Sequence, residues 1–395
     1  MLTRQGWLVV VGAVVVLGLG RLFGVTELYV IGAAGLFLVV LSTVAVGLTR
    51  LRLDIARELH PPRVHAGSLS RVELRVRNGG ARRTPLLQLR DPVGQGRSAK
   101  VVLSPLASGN AVRAAYRLPT EKRGLLRIGP LAVEVGDPFG LASVSTPGAP
   151  IAELTVWPAI ESIRPLPHTQ GDDPHGGADH PNALTASGED FYALRQYVVG
   201  DDLRRVHWPS TARRDELMVR QDELPWQGRA TILLDTRRQM HSPETFERAV
   251  SAAASITVAC ASRKFLIRLV TTAGDDTGFG AGSAHVESIM ERLAMVRTSD
   301  DSHLAQVVLS LRRPGNGGAL AAILGGAAGP DLEAAGRLRT SYGHVTIVGF
   351  VPGRGGGTGI VGDVLLIDGS TPFGPAWDRA IASRRRSRSR ARATT

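Results

Sequence analysis

The chain of 395 residues contains one cysteine, Cys260, three lysines (Lys100, Lys122 and Lys264) and only 5% aromatic residues. A single thiol excludes an internal disulfide framework and a cysteine-built metal cluster, and it fits a reducing compartment. Scarce lysine beside abundant arginine points to a coding bias, which lowers the functional weight of any one arginine. The few aromatics do not interleave the C-terminal arginines, so the stacking platform of a specific single-stranded nucleic-acid binder is missing. A phosphate-binding loop is missing as well. The run "GRGGGTG" at 353–359 has the glycines of such a loop but not its Lys and Ser/Thr.

The formal charge is +12 at pH 7, but the C-terminal "SRRRSRSRARATT" holds Arg384, Arg385, Arg386, Arg388, Arg390 and Arg392 with no acid, and these six account for half of it. The body is therefore mildly basic. The stretch 384–395 reads as a basic disordered tail suited to anionic lipid.

Two apolar runs open the chain, 7–23 and 28–48, separated by "GVTE". The second is uncharged and as a helix spans ~30 Å, the thickness of a hydrocarbon core. The first carries Arg21 near its end, where the side chain snorkels to the headgroups. A cleaved leader is disfavoured because a second span follows at once. Arg4 precedes the hairpin and Arg50, Arg52 and Arg57 follow it. The positive-inside bias thus places both ends and the soluble part in the cytoplasm, beneath a cell membrane crossed twice.

Residues 51–165 alternate with a period of two, as in "SRVELRVRN", where Val72, Leu74 and Val76 face one way and Arg71, Glu73 and Arg75 the other. With "LLQLRD", "AVRAAYRL" and "AELTVWP" between turn residues, this predicts an antiparallel β-sandwich. The runs "RGLLRIGPL" and "GDPFGL" read as tight turns with an aromatic anchor. Residues 166–187 are a polar linker. His168, His175, His180, Asp172, Asp173 and Asp179 lie there or at its edge without the regular spacing on a rigid element that a metal site needs.

Beyond the linker, strand patterns alternate with helical ones: "GRATILLDT", a helix capped by Ser242 with Pro243 at its first position, "FLIRLVTT", "HVESIMERLAMV", "GALAAILGG", "DLEAAGRLRTSYG", "HVTIVGFV", "DVLLIDG" as a possible edge strand, and "FGPAWDRAIASR". That alternation predicts a doubly wound α/β sheet, with ligands beyond the C-terminal strand ends. The expected fold is a membrane-anchored multidomain chain: a two-helix transmembrane hairpin at 1–50, the sandwich at 51–165, the linker at 166–187, the α/β domain at 188–383 and the tail at 384–395.

Two places could carry chemistry. In "LLDTRRQM", Asp235 ends the first strand of the α/β domain. The run resembles the D-x-S-x-S of von Willebrand factor A-type domains, where a carboxylate and two hydroxyls hold Mg²⁺, but Arg237 and Gln239 stand at the serine positions. Arginine has no lone pair to give and repels the ion, so the site is degenerate and no metal or other cofactor is expected; Asp235 pairs instead with Arg237 or Arg238. The second place is "GEDFYALRQYVVGDDLRRVHWPSTARR", 188–214. A helix capped by Ser187 or Asp190 would put Phe191, Leu194 and Val198 on one face. A second helix would start at Asp201 with Arg204 and Arg205 at i+3 and i+4, and Trp208 would be a buried anchor. A hydrolase using Asp201, Asp202 and His207 is the alternative, but it lacks a placed nucleophile and an oxyanion loop.

This second stretch resembles the signature of the bacterial domain-of-unknown-function family fifty-eight (DUF58), through Gly188, Asp190, Phe191, Leu194, Arg195, Tyr197, Gly200, Asp201, Asp202, Arg204, Trp208, Ala212 and Arg213. "RGLLRIGPLAVEVGDPFGL" and "LTVWP" resemble its approach to the motif. The resemblance implies a sandwich-like segment, a von Willebrand factor A-like α/β domain, and association with MoxR-type AAA+ ATPases and membrane transglutaminase-like proteins, with no enzymatic activity. Asp190, Arg195, Asp201, Asp202, Arg204, Trp208 and Arg213 are then expected to bind the partner. The chain as a whole is expected to be a non-enzymatic scaffold that helps the ATPase remodel or mature envelope proteins.

Overall fold

The computed structural model describes residues 2–49, 51–94, 96–169, 191–197, 206–214, 216–222, 228–313, 317–326, 329–351, 359–361, 364–369 and 371–393. They fall into two compact units, Met1–Ala159 and Ile160–Thr395.

The first unit begins with two helices, α1 (Arg4–Phe23) and α2 (Thr26–Gly47), both long and apolar enough to cross a membrane. They turn at Gly24, which caps α1 with φ +67°, and pack through a seam that includes the small residues Ala13, Gly20 and Gly32. Close backbone approach is what small residues permit where apolar solvent gives helices no hydrophobic reason to associate.

Ten strands follow: β1 (Leu53–His60), β2 (Arg63–His65), β3 (Arg71–Asn78), β4 (Leu87–Val93), β5 (Arg97–Leu103), β6 (Ala111–Arg117), β7 (Gly124–Ile128), β8 (Leu131–Gly136), β9 (Ser143–Ala149) and β10 (Ala152–Trp157). One sheet runs β1-β3-β6; the other runs β2-β10-β7-β4-β8-β9, with β5 beside β4. The pairing is antiparallel as expected except that the three-residue β2 lies parallel to β10. Val72, Leu74 and Val76 from one sheet and Leu87, Leu89, Ile128, Val133 and Leu154 from the other share one core. Each such side chain contributes about 1.5–3 kcal/mol when removed from water.

One polar cluster crosses this apolar layer. Arg57 on β1 donates Nη2 to Asp91 Oδ1 on β4 at 2.8 Å and Nη1 to the carbonyls of Ile128 (3.0 Å) and Pro150 (2.7 Å). Tyr116 on β6 donates to Asp91 Oδ2 at 2.5 Å. The side chains of Arg57 and Asp91 are only 4% and 2% exposed. Burial pushes the Asp91 carboxyl up, while the Tyr116 hydroxyl and Arg57 pull it back. These side chains pin the two sheets to each other.

The second unit starts earlier than the predicted boundary at 165. The Glu161 N–H donates to Ser255 Oγ (2.9 Å), the Arg164 N–H to Asp378 (2.8 Å), and Trp377 Nε1 to the Arg164 carbonyl (2.8 Å). Leu166 is buried and His168 stacks on Phe265 at 4.3 Å, so the described beginning of the expected linker is packed. His175, His180, Asp172, Asp173 and Asp179 lie outside the described residues.

A two-stranded antiparallel ribbon follows, β11 (Phe191–Gln196) with β12 (Met218–Asp222), and between them a short helix α3 (Trp208–Arg214). The helix expected over the start of the signature is thus a strand. Phe and Tyr favour extended backbone, and β12, more than twenty residues on, supplies a ladder that the local spacing does not reveal. A helix begins at Trp208, while Asp201, where the second helix was expected to start, lies outside the described residues.

The six-stranded sheet has the order β14-β13-β15-β16-β18-β17, from β13 (Arg229–Leu234), β14 (Leu266–Thr271), β15 (Ala319–Gly325), β16 (His344–Phe350), β17 (Gly359–Val361) and β18 (Val364–Ile367). All pairs are parallel except β17 with β18, so the antiparallel edge is β17, and "DVLLIDG" is one strand inside it. Helix α4 (Pro243–Ala261) crosses β13–β16; Ser242 caps it and Pro243 opens it, as the sequence predicts. Helix α5 (Ser283–Met295) packs on α4. Leu304, Val307 and Val308 of α6 (Leu304–Leu311) and Ala335 of α7 (Gly329–Gly336) join Leu233, Leu320, Ala322 and Leu324 in a separate core. The chain leaves β13 for β14 on one side and returns as β15 on the other, so the strand order reverses at the β13–β15 boundary. The last helix, α8 (Phe373–Ala393), continues through the arginine run, where a disordered tail was expected. Alanine and arginine are both strong helix formers, and a helix already started at Phe373 avoids the cost of nucleation.

Candidate functional site

In an open α/β sheet the crevice for ligands lies outside the strand ends where the order reverses. Asp235 stands there, directly after β13, with its N–H on the Ile323 carbonyl of β15 at 2.9 Å. Its side chain is fully buried. Oδ1 accepts from the Arg237 N–H and Nε, both at 3.0 Å, and from Thr272 Oγ1 at 3.2 Å. Oδ2 accepts from Arg237 Nη2 at 2.8 Å and the Gly325 N–H at 3.2 Å. The same guanidinium reaches across to Asp331 in the first turn of α7, with Nη1 to Oδ1 at 3.1 Å and Nη2 to Oδ2 at 2.8 Å. Every oxygen of both carboxylates therefore accepts from Arg237.

Behind this bridge lies a run of buried hydroxyls. Thr236 Oγ1 sits 3.0 Å from Thr272 Oγ1 and 3.0 Å from Ser302 Oγ, and the Thr236 N–H donates to Thr272 Oγ1 at 2.8 Å. His241 closes another side, edge-on to Phe246 at 5.3 Å. A Cβ on Gly325 would meet the Met240 carbonyl at 2.5 Å and His241 Nε2 at 2.6 Å, so only glycine lets the end of β15 approach this loop.

Burial alone would raise the Asp235 pKa, but the Arg237 guanidinium and N–H, with the Gly325 N–H, outweigh it and hold the carboxyl below its usual range. Burial likewise opposes the charge on Arg237, yet Asp235 and Asp331 together push its pKa higher still. Burial lowers His241 against the opposing pull of Asp235 and its backbone.

The expected pairing of Asp235 with Arg237 is present, and Asp331 is a second carboxylate that the sequence did not flag. The residues do not fit a divalent cation. Mg²⁺ demands oxygens at about 2.0–2.1 Å, and the carboxylates that would supply them are turned onto a guanidinium. Gln239, at the other serine position, is exposed on the turn before α4. Arg237→Ser/Gln239→Ser should free both carboxylates and Thr272 for Mg²⁺. We expect 10 mM Mg²⁺ to raise the melting temperature of this variant over an EDTA control by roughly 5 °C or more, and to leave the parent chain unmoved. A double variant that does not respond would show that the carboxylates are not placed for a metal at all.

Of the predicted partner-binding residues, Asp190, Asp201, Asp202 and Arg204 lie outside the described residues, and Arg195 is described only through its backbone in β11. Arg213 is exposed on α3, and Trp208, expected to be a buried anchor, is 66% exposed at its start. The buried apolar residues here are instead Val206, bridged to Val219, and Met218 and Val219 of β12 itself. His207 precedes α3, with its Nδ1 2.8 Å from Ser210 Oγ, while its carbonyl accepts the first free N–H groups of the helix from Ser210 and Thr211. That is a helix-start contact between residues three apart. Cys260 is buried in α4, and burial pushes its thiol up to about 12, which removes it as a nucleophile.

No curated protein matches the chain. Among solved structures it is similar to a CARDB domain from Pyrococcus furiosus, with 17% identity, a TM-score of 0.20, and coverage of 27% of this chain and 86% of that domain. It is also similar to a β-glucosidase from Listeria innocua in complex with glucose, with 12% identity, a TM-score of 0.17, and coverage of 25% and 16%. Both overlaps are too slight to bear on fold or activity. A model of the family described as Protein of unknown function DUF58 matches residues 193–394, which take in α3, the six-stranded sheet and the Arg237 bridge: the chain belongs to that family.

Proposed function

We propose that this protein is a membrane-anchored, non-catalytic docking module. The two N-terminal helices cross the bilayer, and the arginines around them keep both soluble units in the cytoplasm. The second unit is a von Willebrand factor A-like domain. Its strand order, with the reversal at β13 and an Asp at that strand's end, supports this assignment. The partner is a MoxR-type AAA+ ATPase, and the pair acts on envelope proteins, with a membrane transglutaminase-like protein as a further member.

The observation that carries the reading is Trp208, a large aromatic left 66% exposed at the start of a helix inside the family signature. Tryptophan and arginine dominate the energetics of protein interfaces, and burying one Trp removes about 150–250 Å² from water. Arg213 is exposed on the same helix. Asp201, Asp202 and Arg204, just upstream of Trp208 in the signature, are the charges assigned to specificity in this reading. The strand-end site agrees with a binding role, because its carboxylates are held by Arg237 rather than left open to a substrate.

The full chain, purified in detergent from its native host, should bring an AAA+ ATPase with it. Trp208→Ala/Arg213→Glu should lose that ATPase while keeping the parent melting temperature. Retention of the ATPase by the variant would move the interface away from α3, and absence of any ATPase from the parent would overturn the partner.

A further inference from the structure

The turn between β8 and β9, "GDPFGL", is as tight as its sequence suggests. Asp137 accepts the Phe139 N–H (2.9 Å) and the Ala142 N–H (2.6 Å), and its own carbonyl accepts the Gly140 N–H (3.1 Å). Gly140 adopts φ +70°, which this reversal requires of it. These bonds outweigh burial and keep the Asp137 carboxyl below its ordinary range. The aromatic residue is not an anchor into the protein, however. Phe139 is 61% exposed.

The turn is also fastened to the helical hairpin within the same unit. The Thr3 N–H donates to the Leu141 carbonyl at 2.9 Å, and Thr3 Oγ1 donates to the Gly140 carbonyl at 2.6 Å. Leu2 forms a bridge with Ala142, and the Ser42 hydroxyl reaches Asp137. Thr3 caps the start of α1. Ser42 is five residues before the end of α2, about 8 Å along the axis at 1.5 Å per residue. Phe139 is thereby held at the end of the hairpin where α1 enters and α2 leaves. Trp7, itself 60% exposed, lies only one turn into α1. Aromatic rings at such positions settle at the headgroup level, with an apolar body on one side and water on the other. The lipid-facing surface of α1, with Trp7, Leu8 and Val11 exposed, runs up to this turn.

We propose that the Asp137–Ala142 turn is a membrane wedge: Phe139 enters the interface between headgroups and acyl chains at the level of Trp7, giving the sandwich a second attachment to the bilayer besides its covalent link to α2. The wedge rests on the hairpin crossing the membrane, as proposed above. Exposed Arg4 at the same end suits it to an anionic lipid surface.

Nitroxide labels on the full chain in phosphatidylcholine–phosphatidylglycerol vesicles test both points separately. Native Cys260 is buried and inert to labelling, so Phe139→Cys, Val14→Cys and Arg71→Cys each carry one reactive thiol. Val14 lies in the middle of α1, and Arg71 lies at the end of its sheet away from Leu53, where the chain arrives from α2. The wedge predicts a label at 139 more accessible to oxygen than to a water-soluble nickel complex, at a depth between those of 14 and 71. A label at 139 that behaves like 71, with 14 deep in lipid, overturns the wedge and leaves the hairpin standing. A label at 139 shielded from both reagents also overturns it, in favour of a protein occupant. Water around the label at 14 overturns the hairpin and the wedge together.

Discussion

Arg237→Ala should be among the most destabilising single substitutions in the second unit, by about 3–5 kcal/mol, the usual loss when one partner of a buried ion pair is removed. The variant leaves Asp235 with no exposure to water and without its main counter-charge, and Asp331 without its partner. For a unit of this size that corresponds to a fall in melting temperature on the order of 10 °C. The pH dependence should change sign as well. In the parent, Asp235 has a depressed pKa when folded, so its contribution is present above the unfolded pKa and is lost as pH falls through the folded one. Without Arg237, burial dominates and raises the folded pKa, so the variant should gain stability as pH falls from neutrality towards 5. Thermal unfolding of the detergent-solubilised chain across that range would show it. A loss below about 1 kcal/mol with an unchanged pH slope would mean that Asp235 and Asp331 do not depend on Arg237.

In the first unit, Asp91→Ala should cost a similar 3–5 kcal/mol, because it strands the Arg57 charge between two apolar sheets and removes the acceptor of the Tyr116 hydroxyl. The stranded charge, rather than the lost bond, is the larger part. Arg57→Met/Asp91→Leu should therefore unfold at a higher temperature than Asp91→Ala alone, although the Ile128 and Pro150 carbonyls lose their donor in it. If the double substitution is as damaging as the two single losses added, the cluster acts through its hydrogen bonds and not through its charges.

Much of this architecture is legible without coordinates because its signals are local. The uncharged run 28–48 and the run 7–23, interrupted only by Arg21, have the length of membrane-crossing helices. Alternation such as Val72, Leu74 and Val76 commits one face of a strand to a core, and Ser242-Pro243-Glu244 announces a helix start whose cap the structure contains. The missing parts are long-range. Phe191, Leu194 and Val198 have helical spacing, yet β11 is drawn into a ladder by β12, and only tertiary pairing decides between the two. Trp208 reads as core by residue type, yet it is exposed while Val206, Met218 and Val219 are buried. At the strand end, Asp235 and Arg237 are two residues apart and their pairing is readable. Asp331 is 94 residues from Arg237, and nothing in "DLEAAGRLRTSYG" distinguishes it from an ordinary acid in the first turn of a helix.

The Arg237 bridge also separates this strand end from the ionic supply of its surroundings. A metal held between two carboxylates leaves and returns, and its occupancy follows the free concentration outside. A guanidinium joined to the backbone two residues from the carboxylate it neutralises is present at the same local concentration whatever the solution contains. Chelators cannot strip it, and competing divalent ions find no metal to displace. Between neutral pH and the depressed pKa of Asp235, this site changes by movement of α7 and the carboxylate it carries.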